Sequence, residues 1–356
     1  MKKTIIVTII ILSCIQINAQ TLTGLVYDKD TKQPISGAYV YLDGTSIGDA
    51  TNNTGKYTLT VRQIINTKLV LRHVGYRTII IEEPFIHLPD TIYMEELMNT
   101  LSEIIVYGDP FSRQQKLRAF REQFLGMTQA GRSCRIVNED DIQIWFNVPT
   151  KTLMASSEQP IEVINEYLGY RTLFTLVDFK IEYSGVTLAR NSIQTTYYAV
   201  MSYFTDLRPD DRRIKRRRND VYEESSRNFF KSLAYDPFFS SDTTDNPVFW
   251  VYEKDIGTQI DFNSYFTIND TLSQKKIHIP DDIIEKDNSG NSLLRVNVSH
   301  HNSDNRIFRY YSRVSFFTNN LLVDQYGNID KIDKVAFEGQ MGRARAGNML
   351  PMDYEP

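Results

Sequence analysis

Alternation organises the first hundred residues. Ala38, Val40 and Leu42 interleave with Tyr39 and Tyr41, and Tyr57, Leu59 and Val61 interleave with Thr58 and Thr60. That period of two puts one side of each run against a core and leaves the other half exposed. Between the runs lie Asp30-Thr31-Lys32-Gln33-Pro34, Asp43-Gly44 and Asn52-Asn53-Thr54-Gly55. Gly and Asn tolerate positive φ and Pro pre-sets φ, so these are turns. Short punctuated strands from Gly24 to Tyr76 predict a small antiparallel β-sandwich. Thr78–Ile81 and Thr91–Met94 are its expected closing strands, with Pro84 and Pro89 in the loop between them. Leu101–Gly108 reads as one more β segment. Asp109-Pro110 then breaks it, so the pattern divides the chain into a leader (1–19), a sandwich (20–109) and a second domain (110–356).

Past the break the period changes to that of a helix. Leu117, Phe120, Phe124 and Leu125 share one face of Ser112–Leu125, with Ser112 to cap its start and Gly126 to end it. Strands are expected at Ile142–Val148 and Ile161–Asn165. The longest alternation follows, with Leu173, Thr175, Val177, Phe179, Ile181 and Tyr183 assigned to one face. Ile193–Phe204 continues it as an antiparallel neighbour with one face wet. Tyr222, Phe229, Phe230 and Leu233 predict a buried helical side. Further strands are expected at Val248–Tyr252, Lys276–Ile279, Ser292–Ser299, Arg306–Phe317 and Ile332–Phe337. Asn319-Asn320 is read as a hairpin turn into Leu321–Val323, and Asp324–Asn328 as a second tight turn. The expected fold is therefore mainly β: an immunoglobulin-like antiparallel sandwich followed by an α+β domain with antiparallel strands.

Within the sandwich, the order Gly24-Leu25-Val26-Tyr27-Asp28, Pro34-Ile35-Ser36-Gly37-Ala38-Tyr39-Val40-Tyr41-Leu42, Thr51-Asn52-Asn53-Thr54-Gly55-Lys56-Tyr57 and Val74-Gly75-Tyr76 resembles the carboxypeptidase regulatory-like domain of Bacteroidetes envelope proteins. The resemblance implies a transthyretin-like sandwich, best known at the amino terminus of TonB-dependent outer-membrane receptors. Asn52 stands where that family often carries Asp, a change in a turn side chain. Phe124-Leu125-Gly126, Cys134–Asn138, Gln159–Val163, Leu168-Gly169-Tyr170, Tyr222–Phe229 and Met349–Tyr354 are similar to a family of secreted Bacteroidetes proteins with the same module and no assigned activity. Tyr222-Glu223-Glu224-Ser225 departs there from a commoner Tyr-x-Gly-Ser.

Composition adds compartment and excludes partners. The 356 residues are 41% hydrophobic and 24% charged, ordinary for a globular chain. Twenty-one Tyr and 19 Phe favour strands over helical bundles. Lys2, Lys3, the apolar run Ile5–Leu12 and Asn18-Ala19 before Gln20 predict a secretory leader too short to span a membrane. Its loss takes the formal charge from −4 to −6, which attracts neither nucleic acid nor anionic lipid. Ile11-Leu12-Ser13-Cys14 is an alternative lipidation signal, with Leu12 a poor fit. After cleavage at Ala19, Cys134 is the one remaining cysteine, and it reads as a small buried residue.

A search for chemistry yields no catalytic, cofactor-binding or metal-ligating residue set. The five histidines, His73, His87, His278, His300 and His301, form neither His-x-x-Glu nor His-Glu-x-x-His, so a metallocarboxypeptidase zinc site is not expected. His300 and His301 are adjacent and would point to opposite faces of a strand. No Gly-x-Ser-x-Gly or Walker loop occurs. Asp140-Asp141, Asp210-Asp211 and Asp281-Asp282 read as turn residues rather than a glycosidase or calcium pair. The basic run of Arg212, Arg213, Lys215, Arg216, Arg217 and Arg218 reads as a solvated helix start, neutralised by Asp210, Asp211, Asp220, Glu223 and Glu224. Its sharper alternative is a patch for phosphate, lipopolysaccharide or nucleic acid.

These readings lead to a non-catalytic cell-envelope protein that binds a protein or glycan, with Tyr39 and Tyr41 as exposed stacking surfaces. Membrane association would run through an outer-membrane partner or lipidation. The alternative is a hydrolase, a peptidase or glycosidase, assembled from dispersed Asp, Glu and His in the second domain. After the module the chain is too short for the 22-stranded barrel of a complete receptor.

Overall fold

A computed structural model describes residues 20–97, 108–236, 249–252, 260, 262–271, 273–286, 292–301 and 309–356. The expected leader with Cys14, and all but the last residue of the segment Leu101–Gly108, lie outside them. The fold is mainly β, built of several antiparallel sheets. Two compact units emerge. Residues 20–41, 47–64 and 68–97 form the first; residues 42–46 and 65–67 group with the rest of the chain in the second.

The first unit carries β1 (Gln20–Asp28), all but the last residue of β2 (Tyr39–Leu42), β3 (Gly48–Ala50), β4 (Lys56–Val61), β5 (Leu69–Arg72), β6 (Ile79–Ile81) and β7 (Thr91–Met94). They make two sheets, ordered β4-β1-β7 and β3-β2-β5-β6. Every pairing with a resolved register is antiparallel except β1 with β7, which run parallel from Leu25–Thr91 to Asp28–Met94. The expected alternation holds in β4, where Tyr57, Leu59 and Val61 are buried and Lys56, Thr58 and Thr60 exposed. Val26, Val40, Leu69, Val70, Leu71 and Met94 complete the core. Tyr39 is exposed, but Tyr41 is buried, which corrects the expectation of two outward tyrosines.

In the second unit, α1 (Arg113–Phe124) begins at Ser112 with a reciprocal cap: Ser112 accepts from the Gln115 N–H, and the Gln115 side chain accepts from the Ser112 N–H. Gly126 follows with φ 89°. Its Leu117, Phe120 and Phe124 pack on a six-stranded sheet. After α2 (Gln129–Arg132), that sheet comprises β8 (Cys134–Ile136), β9 (Gln143–Asn147), β10 (Thr152–Ser156), β11 (Ile161–Asn165), β12 (Tyr170–Tyr183) and β13 (Ile193–Asp206).

β12 departs from the expected face. Tyr170, Thr172 and Phe174 are buried in its first half and Phe179, Ile181 and Tyr183 in its second, while Val177 is exposed. A bulge between Leu176 and Asp178 inserts one residue against β13. One extra residue shifts a period-two pattern by one place, so the face holding Phe179 continues the face of Phe174, not that of Leu173 and Thr175.

Beyond the sheet come α3 (Arg212–Glu223), capped by Asp211, and α4 (Ser226–Tyr235), capped by Ser225. Phe229, Phe230 and Leu233 of α4 enter a second core. Its strands are β14 (Phe249–Tyr252), β15 (Thr267–Asp270), β16 (Lys275–His278), β17 (Glu285–Lys286), β18 (Ser292–His301), β19 (Arg309–Phe316), β20 (Asn320–Val323) and β21 (Val335–Glu338). Asn319-Asn320 does not make the expected hairpin. β20 pairs with β16, and β19 pairs with β18 and β21. The Asn319 amide donates to the Ile279 carbonyl and the Asp281 carboxylate, while its own carbonyl accepts from the Ile279 N–H, so the turn docks on the end of β16. Among the described residues no helix is long and apolar enough to cross a membrane.

Candidate functional site

Polar side chains converge at two places, one in each unit. In the first, the end of β1 meets the segment after β5. Asp28 Oδ1 accepts from the Asp30 N–H (2.9 Å), the Thr31 N–H (2.6 Å) and the Thr31 hydroxyl (2.8 Å), and Oδ2 accepts from the Tyr76 hydroxyl (2.9 Å). Three donors converge on Oδ1 and one on Oδ2, so both carboxylate oxygens are bound within the protein. The Thr31 backbone and hydroxyl, with Tyr76, hold the Asp28 carboxyl down at about 2. The Tyr76 hydroxyl is correspondingly pushed up to about 12, chiefly by that same bond.

The neighbouring turn follows the same logic. Thr51 Oγ1 accepts from the Ala38 N–H and donates to the Ile35 carbonyl. Asn52 Oδ1 accepts from the Thr54 N–H, the Thr54 hydroxyl and the Lys56 N–H. An amide oxygen does here what an Asp oxygen would, so the departure at Asn52 keeps the turn. Gly55 closes it at φ 74°, where an added Cβ would strike the Val26 carbonyl oxygen.

The second convergence lies in the second unit, around the segment Met349–Tyr354. Asp324 is fully buried and accepts from the N–H groups of Asn66, Tyr326 and Asn328 and from the Asn328 side chain. Burial pushes its carboxyl above the ordinary range, against those four donors. Asn328 in turn donates to the Met352 carbonyl at 3.0 Å. Arg227 donates to the carbonyls of Tyr326, Pro351 and Tyr354 and lies over the Tyr222 ring. Burial lowers its pKa. Asp353 accepts from the Ser46 N–H and hydroxyl, and the Tyr354 hydroxyl donates to Asn219. These groups clamp the segment in place.

The basic run is split by its helix. Arg212, Arg213, Lys215 and Arg216 are exposed, and Arg217 lies over Tyr167. Arg218 is buried, and its partner is Asp206 of β13, not one of the nearby acids expected to neutralise it. The spacing Ile214, Arg218, Tyr222 is that of one helical face, and all three are buried. That period was the available signal, masked by the density of charge. Nothing of comparable strength in the sequence announced Arg227 or Asp324.

The remaining candidates lie apart. His73 Nδ1 sits 2.9 Å from the Val74 carbonyl, with its ring edge-on to Tyr76. His87 is exposed, and His278 pairs with Asn320. His300 and His301 are consecutive in β18. Asp140-Asp141 and Asp281-Asp282 occupy short 3-10 turns, and Asp211 caps α3. Cys134 donates to the Ala130 carbonyl at 3.3 Å, and burial pushes its thiol up to about 12. Among the described residues, no three His, Cys, Asp or Glu side chains gather as a metal site.

Residues 22–106 match the family model described as a CarboxypepD_reg-like domain. No curated protein matches the chain.

Proposed function

We propose that this chain is a non-catalytic protein of the bacterial cell envelope, related to the exported Bacteroidetes proteins it resembles. In this reading the regulatory-like sandwich is a rigid module that engages a protein or glycan partner. The observation that carries it is the use to which the family motif is put. Asp28, Thr51, Asn52 and Tyr76, four of its polar residues, spend their hydrogen bonds on holding the loops of the sandwich. A motif spent on shape makes a scaffold whose presented surface is set by its loops and exposed aromatics such as Tyr39 and Tyr93. The leader predicted at Met1–Ala19 takes the protein out of the cytoplasm.

Two measurements test the reading. Cell fractionation should recover the protein with the envelope, and a cytosolic pool alone would refute export. The purified chain should retain an envelope protein or glycan from outer-membrane extracts, and should leave peptide and glycan libraries uncut with or without added divalent metal. Turnover of either library would replace the module by a hydrolase.

A further inference from the structure

β13 is the longest edge strand among the described residues. β12 carries β10 and β11 along one side and β13 along the other, and among the described residues no further strand lies beyond β13. The other outer strands, such as β3, β6, β8, β9 and β21, run three to five residues, whereas β13 runs fourteen. Short edges are poor templates for pairing; a long one is protected in most proteins by charge, Pro or a covering segment. From Ile193 to Thr205 this strand contains no charged residue and no Pro.

One end of the edge is covered. The Gly44 N–H donates to the Ser202 carbonyl at 2.7 Å, and the Phe204 N–H donates to the Thr45 carbonyl at 2.9 Å, all within the second unit. Those contacts fix which peptide groups point outward: those of Ser202 and Phe204. Antiparallel strands alternate the direction of their peptide groups, so Val200, Tyr198 and Thr196 face the same way. Among the described residues these three have no backbone partner on that side. Thr195 and Tyr197 stand exposed on one sheet face, and Tyr198 reaches the core on the other, beside Phe124.

We propose that the outer edge of β13, from Thr195 to Met201, pairs antiparallel with the same edge of a second copy of this chain. The sequence is self-complementary about Tyr198. A two-fold axis there sets Thr196 opposite Val200 of the second copy, and Tyr197 opposite its Ala199, where a small residue leaves room for the ring. The outward peptide groups supply about six hydrogen bonds across the axis. β-Branched and aromatic cross-strand pairs are favourable, and with no charge in the stretch no like charges meet. The pairing is isologous, the commonest symmetry of homo-oligomers. Its length ends where Gly44 and Thr45 already occupy the edge.

Light scattering and sedimentation velocity on the purified full chain test this, with three variants. The parent chain should show the mass of two chains. Tyr197→Lys places a cation on an exposed position beside Lys180 and the axis, and should give the mass of one. Thr196→Pro removes an outward N–H that edge geometry can spare in the isolated chain, and should do the same. Val186→Lys alters an exposed apolar residue outside β13 and should stay at two. Circular dichroism of Tyr197→Lys, a surface change, establishes that loss of pairing is not loss of fold. A single-chain mass for the parent at every concentration overturns the proposal. So does a double mass that survives Tyr197→Lys, or one abolished equally by Val186→Lys.

Discussion

The Tyr76 hydroxyl donates to the Asp28 carboxylate at 2.9 Å across 48 residues of sequence, joining the first and last motifs of the sandwich. Asp28 ends β1, and Tyr76 follows the turn after β5, so the bond ties the two sheets' connecting loops together. Its pH signature has two limbs of opposite sign. The Asp28 carboxyl is lowered to about 2, so its stabilisation is complete above the ordinary carboxylate value of about 4 and is lost as pH falls toward 2. The Tyr76 hydroxyl is raised to about 12, so its stabilisation is complete below about 10 and is lost as pH rises through 12. Thermal melts across pH should show both limbs in the parent. Tyr76→Phe should remove this bond's share of the alkaline limb, leaving the share of other raised tyrosines such as Tyr57 and Tyr183, should narrow the acid limb and should cost about 1 kcal/mol. An unchanged alkaline limb in Tyr76→Phe would detach the hydroxyl from this role.

Gly55 and Gly37 separate two causes of glycine use. Both have left-handed backbone, φ 74° and 78°. An added Cβ at Gly37 meets nothing within 4 Å, whereas at Gly55 it collides with the Val26 carbonyl. Gly37→Ala should therefore cost only the left-handed penalty, about 1–2 kcal/mol. Gly55→Ala should cost clearly more, because β1 itself must shift. Urea unfolding of the two variants decides it; equal costs would mean that the β1 contact carries no weight.

Much of this fold was legible because its signals are local. Period-two alternation located β2, β4, β9 and β11, and Ser112 with Leu117, Phe120 and Phe124 located α1. The errors arise where one residue changes a long-range relation. The bulge at Leu176–Asp178 moves the buried face of β12 by one place without interrupting its alternation in sequence. Asn319-Asn320 has hairpin chemistry, yet the partner of the following strand is β16, some forty residues earlier. Asp324 and Arg227 are polar residues in turn and helix contexts, and only tertiary burial distinguishes them from surface neighbours. A sequence carries the preference of a segment more plainly than the identity of what packs on it.

Cys134 should be a slow nucleophile in the folded chain. The thiolate is the reactive form, and burial pushes the thiol up to about 12, leaving little thiolate near neutral pH. Alkylation by iodoacetamide at pH 8 should run roughly a hundredfold or more slower in the native protein than in urea. Labelling followed by mass spectrometry at Cys134 measures the ratio. Comparable rates would place the thiol in an open, activated setting and revive its candidacy as a reactive group.

Arg218 supplies the sharpest test of how the second unit is held. Its guanidinium donates to both Asp206 oxygens at 2.7 Å, to the Leu168 carbonyl at 2.7 Å and to the Gly169 carbonyl at 3.3 Å, and it lies 3.9 Å over the Tyr170 ring. One side chain thus binds β13, the turn before β12 and the first ring of β12. Burial alone would lower the Arg218 pKa and raise that of Asp206, but their mutual bonds reverse both directions. Because Asp206 is lowered overall, the pair stabilises above the ordinary carboxylate range and weakens as pH falls below it. Lysine keeps the charge but cannot reproduce a planar fork, so Arg218→Lys should cost about 2 kcal/mol. Arg218→Ala strands Asp206 and two carbonyls and should cost about 3 kcal/mol, less than a wholly buried pair because Asp206 keeps some solvent. Adding Asp206→Ala to Arg218→Ala should recover part of that loss, a coupling that urea unfolding of the four proteins measures directly. Strict additivity would mean that Arg218 acts through Tyr170 and the carbonyls alone.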